Sequence, residues 1–184
     1  MSAGERLLPP SGWRSRIYQP SVRLFTPSEL RRMRGCEQVA AVCYRVRNGG
    51  IEFLLVQTRR GRWTFPKGSV EAGLTPAQSA ALEAFEEAGV HGRMEEDAFA
   101  TYVRRKRGGG SSRTADAITV AVHAYLCEVL RRDSPQESGR NPSWFSAEKA
   151  KRRLRDDRSL HHGAELARVV DSAVARILQF RRSP

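Results

Sequence analysis

Glu83, Glu86 and Glu87 fall within one helical turn of a chain that is otherwise strongly basic. At about 100° per residue their side chains share one face within about 100° of arc. Carboxylates this close repel one another unless something neutralises them, and hard divalent cations, which prefer oxygen ligands, commonly do so. Residues 68–98 hold seven acids against the single base Arg93, a net of −6 in a chain of net +12, so the remainder carries +18. A solvated helix face is the bland account of such a run, and the flanking sequence has to decide between the two.

The element that must hold the acids is legible. Thr75 as N-cap, Pro76 at the first helical position and Gln78 three residues after the cap form a capping box, and Gly89 supplies the stop. Ala77, Ala81, Ala84, Phe85 and Ala88 recur at helical spacing. That pattern predicts a helix packed by its apolar side, with the acids turned to solvent or a cleft.

Trp63-Thr64-Phe65-Pro66-Lys67-Gly68 leads into this segment and Glu86-Glu87-Ala88-Gly89-Val90 closes it. The spacing resembles the box of the Nudix hydrolases, which Gly68, Glu83, Ala84, Glu86, Glu87, Gly89 and Val90 match. Leu74 and Leu82 depart from it, standing where the box has Glu and Arg. In the family that charged pair supports the metal site from behind. Apolar replacement of both partners of a buried pair can be nearly neutral, so the double change reads as compensation.

The resemblance implies an α/β fold, a Nudix-type α/β/α sandwich with a mixed β-sheet, over about residues 37–180. The residue patterns agree with it. Gln38–Arg47 and Ile51–Gln57 read as strands joined by an Asn48-Gly49-Gly50 hairpin, and Ala98–Arg105 and Ala117–Leu130 as two more. A helix opens at Ser146-Ala147-Glu148-Lys149, and a longer amphipathic one runs from about Gly163 to Phe180. Within the family, RWTFPKG, EEAGVHG and GRNPSWF are most similar to enzymes acting on diadenosine polyphosphates and diphosphoinositol polyphosphates.

By the same resemblance Glu83, Glu86 and Glu87, with the Gly68 carbonyl, hold one or more Mg²⁺ or Mn²⁺ ions, and Glu86 or Glu87 accepts a proton from the attacking water. The expected reaction is hydrolysis of a phosphoanhydride in a nucleoside or inositol polyphosphate. Two basic clusters suit such a substrate: Arg59, Arg60, Arg62 and Lys67 before the box, and Arg104, Arg105, Lys106, Arg107 and Arg113 around a glycine-rich loop. Arg60, Arg62, Lys67, Arg104 and Lys106 are the candidate substrate contacts. The alternatives are a non-catalytic nucleotide- or RNA-binding protein of the same fold, an RNA 5′-pyrophosphohydrolase, and a hydrolase of nucleoside diphosphate sugars. Nucleic acid is a rival partner for so basic a chain, but no zinc-finger spacing or interleaved aromatic platform favours it.

The 184 residues suit one domain at 37–182 with an arginine-rich arm at 1–36, whose Thr26-Pro27-Ser28-Glu29 opens a short helix. No apolar run approaches the ~20 residues that span a bilayer, and the first residues lack the apolar core of a signal peptide. Cys36, Cys43 and Cys127 are odd in number and have no CxxC spacing, which points to a reducing cytoplasm. The oligomeric state leaves no mark. His123 reads as structural, His161-His162 as surface, and Trp144 as an anchor for the last helices. Tyr102 and Phe65 read as packing residues or as adenine stackers.

Overall fold

The structure, a computed structural model, describes residues 37–107 and 117–182. Strand β1 (Gln38–Arg47) turns back into β2 (Gly50–Gln57) through Asn48 and Gly49, both at positive φ (50° and 75°). Those are the torsions of the tight hairpin that Asn-Gly favours. Two short strands follow, β3 (Trp63–Thr64) and β4 (Lys67–Ser69), then helix α1 (Pro76–Ala88). Next come β5 (Val90–Met94), β6 (Ala100–Arg107), β7 (Ala117–Arg132) and β8 (Ser143–Ser146), and finally helices α2 (Ala147–Arg155) and α3 (Leu160–Phe180).

These strands form one mixed sheet. β1 and β7 run parallel, Gln38 beside Val122 and Cys43 beside Cys127, while β2 and β4 pair β1 antiparallel and β5 and β6 pair β7 antiparallel. The side chains of β1 alternate between two cores, as a strand period of two requires. Val39, Ala41 and Cys43 face α1 with Leu54, Val56, Ala80 and Ala84. Ala40 and Val42 face α2 and α3 with Phe53, Phe65, Leu154, Leu166 and Val170. Helices therefore cover both faces of an open mixed sheet, the α/β/α sandwich the resemblance implied.

The α1 boundaries form as their residues require: Thr75 Oγ1 accepts from Gln78 N at 3.2 Å, Thr75 N donates to Gln78 Oε1 at 2.9 Å, and Gly89 ends the helix at φ 66°. Its buried side differs from the apolar pattern. Ala77, Ala84 and Ala88 are buried as expected, Ala81 and Phe85 are only half-buried, and Ser79, Ala80 and Glu87 are buried in addition. Ser79 is fixed there because its hydroxyl accepts from Glu71 N (3.0 Å) and donates to Thr75 O (3.1 Å).

Four further departures have simple causes. Strands β3, β4, β5 and β8, of two, three, five and four residues, are too short to carry a period. α3 begins at Leu160 rather than Gly163, because Ser159 caps it through His162 N. Trp144 packs on the α1 side under the Arg45 guanidinium, 4.1 Å from the ring centre, while its neighbour Phe145 meets Trp63 on the side of the last helices. Leu74 is 38% exposed and Leu82 half-buried, so the buried pair that their apolar nature was read as replacing is not buried here. The arm at 1–36 with its short helix, the glycine-rich loop and Arg113 lie outside the described residues. Cys43 and Cys127 are buried free thiols.

Candidate active site

β4 lies along the start of β1, Gly68 opposite Val39, and α1 passes across this corner. A Cβ on Gly68 would collide with the carboxylate of Glu83, first with Oε1. The glycine is needed so that the backbone and a carboxyl group from the middle of α1 can approach this closely. Glu83 has no hydrogen-bond or ion-pair partner among the described residues. Its pKa is raised to about 7, first by burial and then by the charges of Glu87, Glu86 and Glu137. Such a carboxyl group holds its proton near neutrality unless a cation is supplied.

One turn on, Glu87 is 2% exposed. Its Oε1 lies 2.6 Å from Nη2 of Arg140, and its Oε2 accepts from the backbone N–H of Lys67 at 3.4 Å. Burial raises its pKa, and the charges of Lys67 and Arg140 work against that rise. The Lys67 ammonium is pushed down by burial and by Arg104 and Arg140, and supported by Glu87 and Glu83. Glu86 is half-buried, and its side chain has no partner among the described residues. Its carbonyl accepts from Glu137 N at 2.9 Å. These carboxylates sense one another, yet among the described residues no three acid, thiol or imidazole groups stand together as a finished cation cage.

Arg140 was not singled out by its type or spacing. It lies in the segment between β7 and β8, which straps the end of α1 through Asp133 N to Gly89 O (2.8 Å) and Glu137 N to Glu86 O (2.9 Å). Glu137 also pairs with Arg140 at 2.6 Å. The positive φ of Gly139 (75°) and Asn141 (46°) marks the tight backbone that aims the guanidinium. The only sequence signal was that these residues sit inside GRNPSWF.

The candidate basic contacts separate. Lys67 lies beside the acids, and Arg104 acts on Lys67 while donating to Gln38 Oε1 at 3.0 Å. Arg62 is held away at the α2–α3 turn, its Nη1 donating to Asp157 O at 3.4 Å, and Arg60 is exposed on the loop before it. Lys106 is in β6, and its side chain lies outside the described residues. His123 bonds Thr101 Oγ1 at 3.2 Å, in keeping with a structural part, and His161 is exposed. His162 departs from the surface expectation: it is half-buried, with Nδ1 3.1 Å from Val103 O. Phe65 and the Tyr102 ring are core residues, which leaves neither ring face open to a base.

Residues 37–163 match the sequence profile of the NUDIX domain. The fold is similar to that of an Ap4A hydrolase from C. elegans in a binary complex, with 26% identity and TM-score 0.58 over 78% of this chain and 98% of that one. It is also similar to a NUDIX hydrolase from Nitrosomonas europaea (19%, 0.55, 76% and 88% of the two chains). A third similar structure is the NUDIX domain of Shewanella oneidensis NrtR complexed with ADP ribose (17%, 0.50, 77% and 87%). A profile that spans most of the chain, set on a mixed sheet between helices with Glu83 of the box against Gly68, shows that the chain belongs to the Nudix family and is a hydrolase.

Proposed function

We infer that the protein is a divalent-metal-dependent hydrolase of a phosphoanhydride bond, acting on a small-molecule nucleoside or inositol polyphosphate, with diadenosine polyphosphate first and diphosphoinositol polyphosphate second. The observation that carries this is the Gly68–Glu83 approach. A carboxyl group with a pKa near 7, crowded by Glu87 and Glu86 against a backbone with no Cβ to exclude a ligand, fits a hard oxygen-seeking cation. Glu83, Glu86, Glu87 and the Gly68 carbonyl would hold Mg²⁺ or Mn²⁺. When bound, the ion supplies positive charge to the bridging phosphates and makes water more acidic.

The chain's own groups divide the remaining work. Glu87 is fixed by Arg140 and the Lys67 N–H, which leaves Glu86, whose carboxylate is unengaged among the described residues, as the acceptor of the attacking water's proton. The water oxygen bonds to phosphorus, the bridging P–O bond breaks, and the leaving phosphate takes up the negative charge. Lys67, close to Glu87 and desolvated in part, stabilises that charge, with Arg104 acting beside Lys67. The similarity to an Ap4A hydrolase at 26% identity supports the substrate class.

The test is product release from diadenosine polyphosphates, diphosphoinositol polyphosphates, nucleoside triphosphates, ADP-ribose and triphosphorylated RNA, with Mg²⁺, with Mn²⁺ and with chelator. Metal-dependent cleavage of diadenosine or diphosphoinositol polyphosphates is expected. Cleavage of triphosphorylated RNA alone would move the substrate to RNA 5′ ends, and silence across the panel would overturn the reading.

A further inference from the structure

α1 carries its glutamates without the charged pair of the Nudix box, since Leu74 and Leu82 occupy both positions and Leu74 is 38% exposed. An arginine–glutamate pair arrives instead from the segment between β7 and β8. Arg140 Nη2 stands 2.6 Å from Glu87 Oε1 and 2.6 Å from Glu137 Oε2, and Arg140 Nε donates to the same Glu137 oxygen at 2.7 Å. A planar guanidinium held through two nitrogens by one carboxylate keeps little freedom, so it presents the shared nitrogen to Glu87 in a fixed direction.

The backbone that carries this arginine is fixed from both sides. Asp133 N and Glu137 N donate to Gly89 O and Glu86 O at the end of α1, and Gln57 N of β2 donates to Arg140 O at 2.6 Å. Asn141 Nδ2 adds a bond to Gln57 Oε1 at 2.8 Å. The segment runs so close to the helix end that a Cβ on Gly89 would strike Asp133 O. Support of this kind keeps a ligating group aimed. Its effect on Glu87 is an asymmetry between the two carboxylate oxygens. Oε1 is taken by the guanidinium, whereas Oε2 has, among the described residues, only the long 3.4 Å contact with the Lys67 N–H. Lys67 adjoins Gly68, where Glu83 packs, so Oε2 is the oxygen on the side of Gly68 and Glu83. The positive charge of Arg140 opposes a cation near Glu87, and Glu137 offsets that charge.

We propose that Arg140 and Glu137 are a positioning pair that turns Glu87 Oε2 toward the divalent cation, and that they replace the pair missing at Leu74 and Leu82. Arg140 acts through Glu87, and Glu137 acts through Arg140. The proposal rests on the reading of Glu87 as a ligand of Mg²⁺ or Mn²⁺ and deepens it, because the affinity of the site is then set in part from a segment outside the box.

The probe is Mn²⁺ alone, titrated calorimetrically into the full chain without substrate, at a temperature where circular dichroism shows each variant folded. Arg140→Gln should weaken Mn²⁺ binding at least about 10-fold, the scale of losing a group that orients a metal ligand. Charge alone gives the opposite sign, because removing a cation beside the site should tighten it, and a merely structural arginine leaves the affinity of the folded protein unchanged. Glu137→Gln should also weaken binding, by about 10-fold. The double variant should bind no more weakly than Arg140→Gln, because both residues act along one path. If Arg140→Gln does not fold, Glu137→Gln carries the test, since that side chain is 46% exposed. An affinity unchanged or tightened in either single variant overturns the pair. Losses that multiply in the double variant overturn it as well, because Glu137 would then act on the cation independently of Arg140. Absence of Mn²⁺ binding in the wild type overturns the metal reading and the pair with it. Mn²⁺ binding that falls as expected in a protein that cleaves nothing in the substrate panel leaves the pair standing and removes the hydrolytic reading.

Discussion

Arg140 Nη2 and Glu87 Oε1 lie 2.6 Å apart, with the glutamate side chain 2% and the arginine side chain 21% exposed. The pair joins the segment before β8 to the face of α1 that carries the acids. Breaking a buried pair on one side strands the other charge, at a cost of about 3 kcal/mol where burial is incomplete. Arg140→Gln should therefore lower stability by about that amount in urea unfolding. Adding Glu87→Gln should restore part of it, so that the double variant is more stable than the sum of the single effects. Strict additivity would show that the two groups are not coupled.

Gly68→Ala separates folding from function. The atom in its way is the end of a flexible glutamate side chain, which can swing aside, so chemical denaturation should shift by no more than about 1 kcal/mol. The swing takes the Glu83 carboxylate off the backbone, and turnover should fall at least about 10-fold. Retained turnover would mean that the Gly68–Glu83 approach plays no part in the chemistry.

Glu83 sets a pH dependence. Its folded pKa, about 7, stands above the value of 4.5 expected without burial, so between the two the folded state binds the extra proton. The stabilising contribution is fully present below about 4.5 and is lost as pH rises through about 7. In EDTA, Tm should fall across this window, and Glu83→Gln should flatten the fall. Mg²⁺ should raise Tm more at pH 8 than at pH 5, because only the ionised carboxylate attracts it. An equal Mg²⁺ effect at both pH values, or a wild-type slope retained in Glu83→Gln, would contradict this assignment.

The long strands and α1 were legible because their signals are local: alternation in β1, β2 and β7, the Asn48-Gly49 turn, and the Thr75–Gln78 capping box. The acids of α1 were legible as a charge cluster in a basic chain. Their different fates were not, because Glu87 becomes a core residue only when β4 and Arg140 close over it, and those contacts span 20 and 53 positions in sequence. Arg140 sits in an irregular segment with no period to announce it. Leu82 and Leu74 suggested an apolar replacement for a buried pair, but the exposure of Leu74 shows that this corner is open to water. Leu82→Arg should then cost less than a buried unpaired charge, within about 1 kcal/mol.

The most direct test of the catalytic account is the initial rate of diadenosine tetraphosphate cleavage, titrated with Mg²⁺, for the wild type beside Glu87→Gln. The wild-type rate should saturate with Mg²⁺ and vanish in EDTA, and the variant's rate should be lower by about 100-fold or more, the scale of removing a group that stabilises charge in the transition state. A variant that folds and turns over near the wild-type rate, or a wild-type rate indifferent to EDTA, would contradict it.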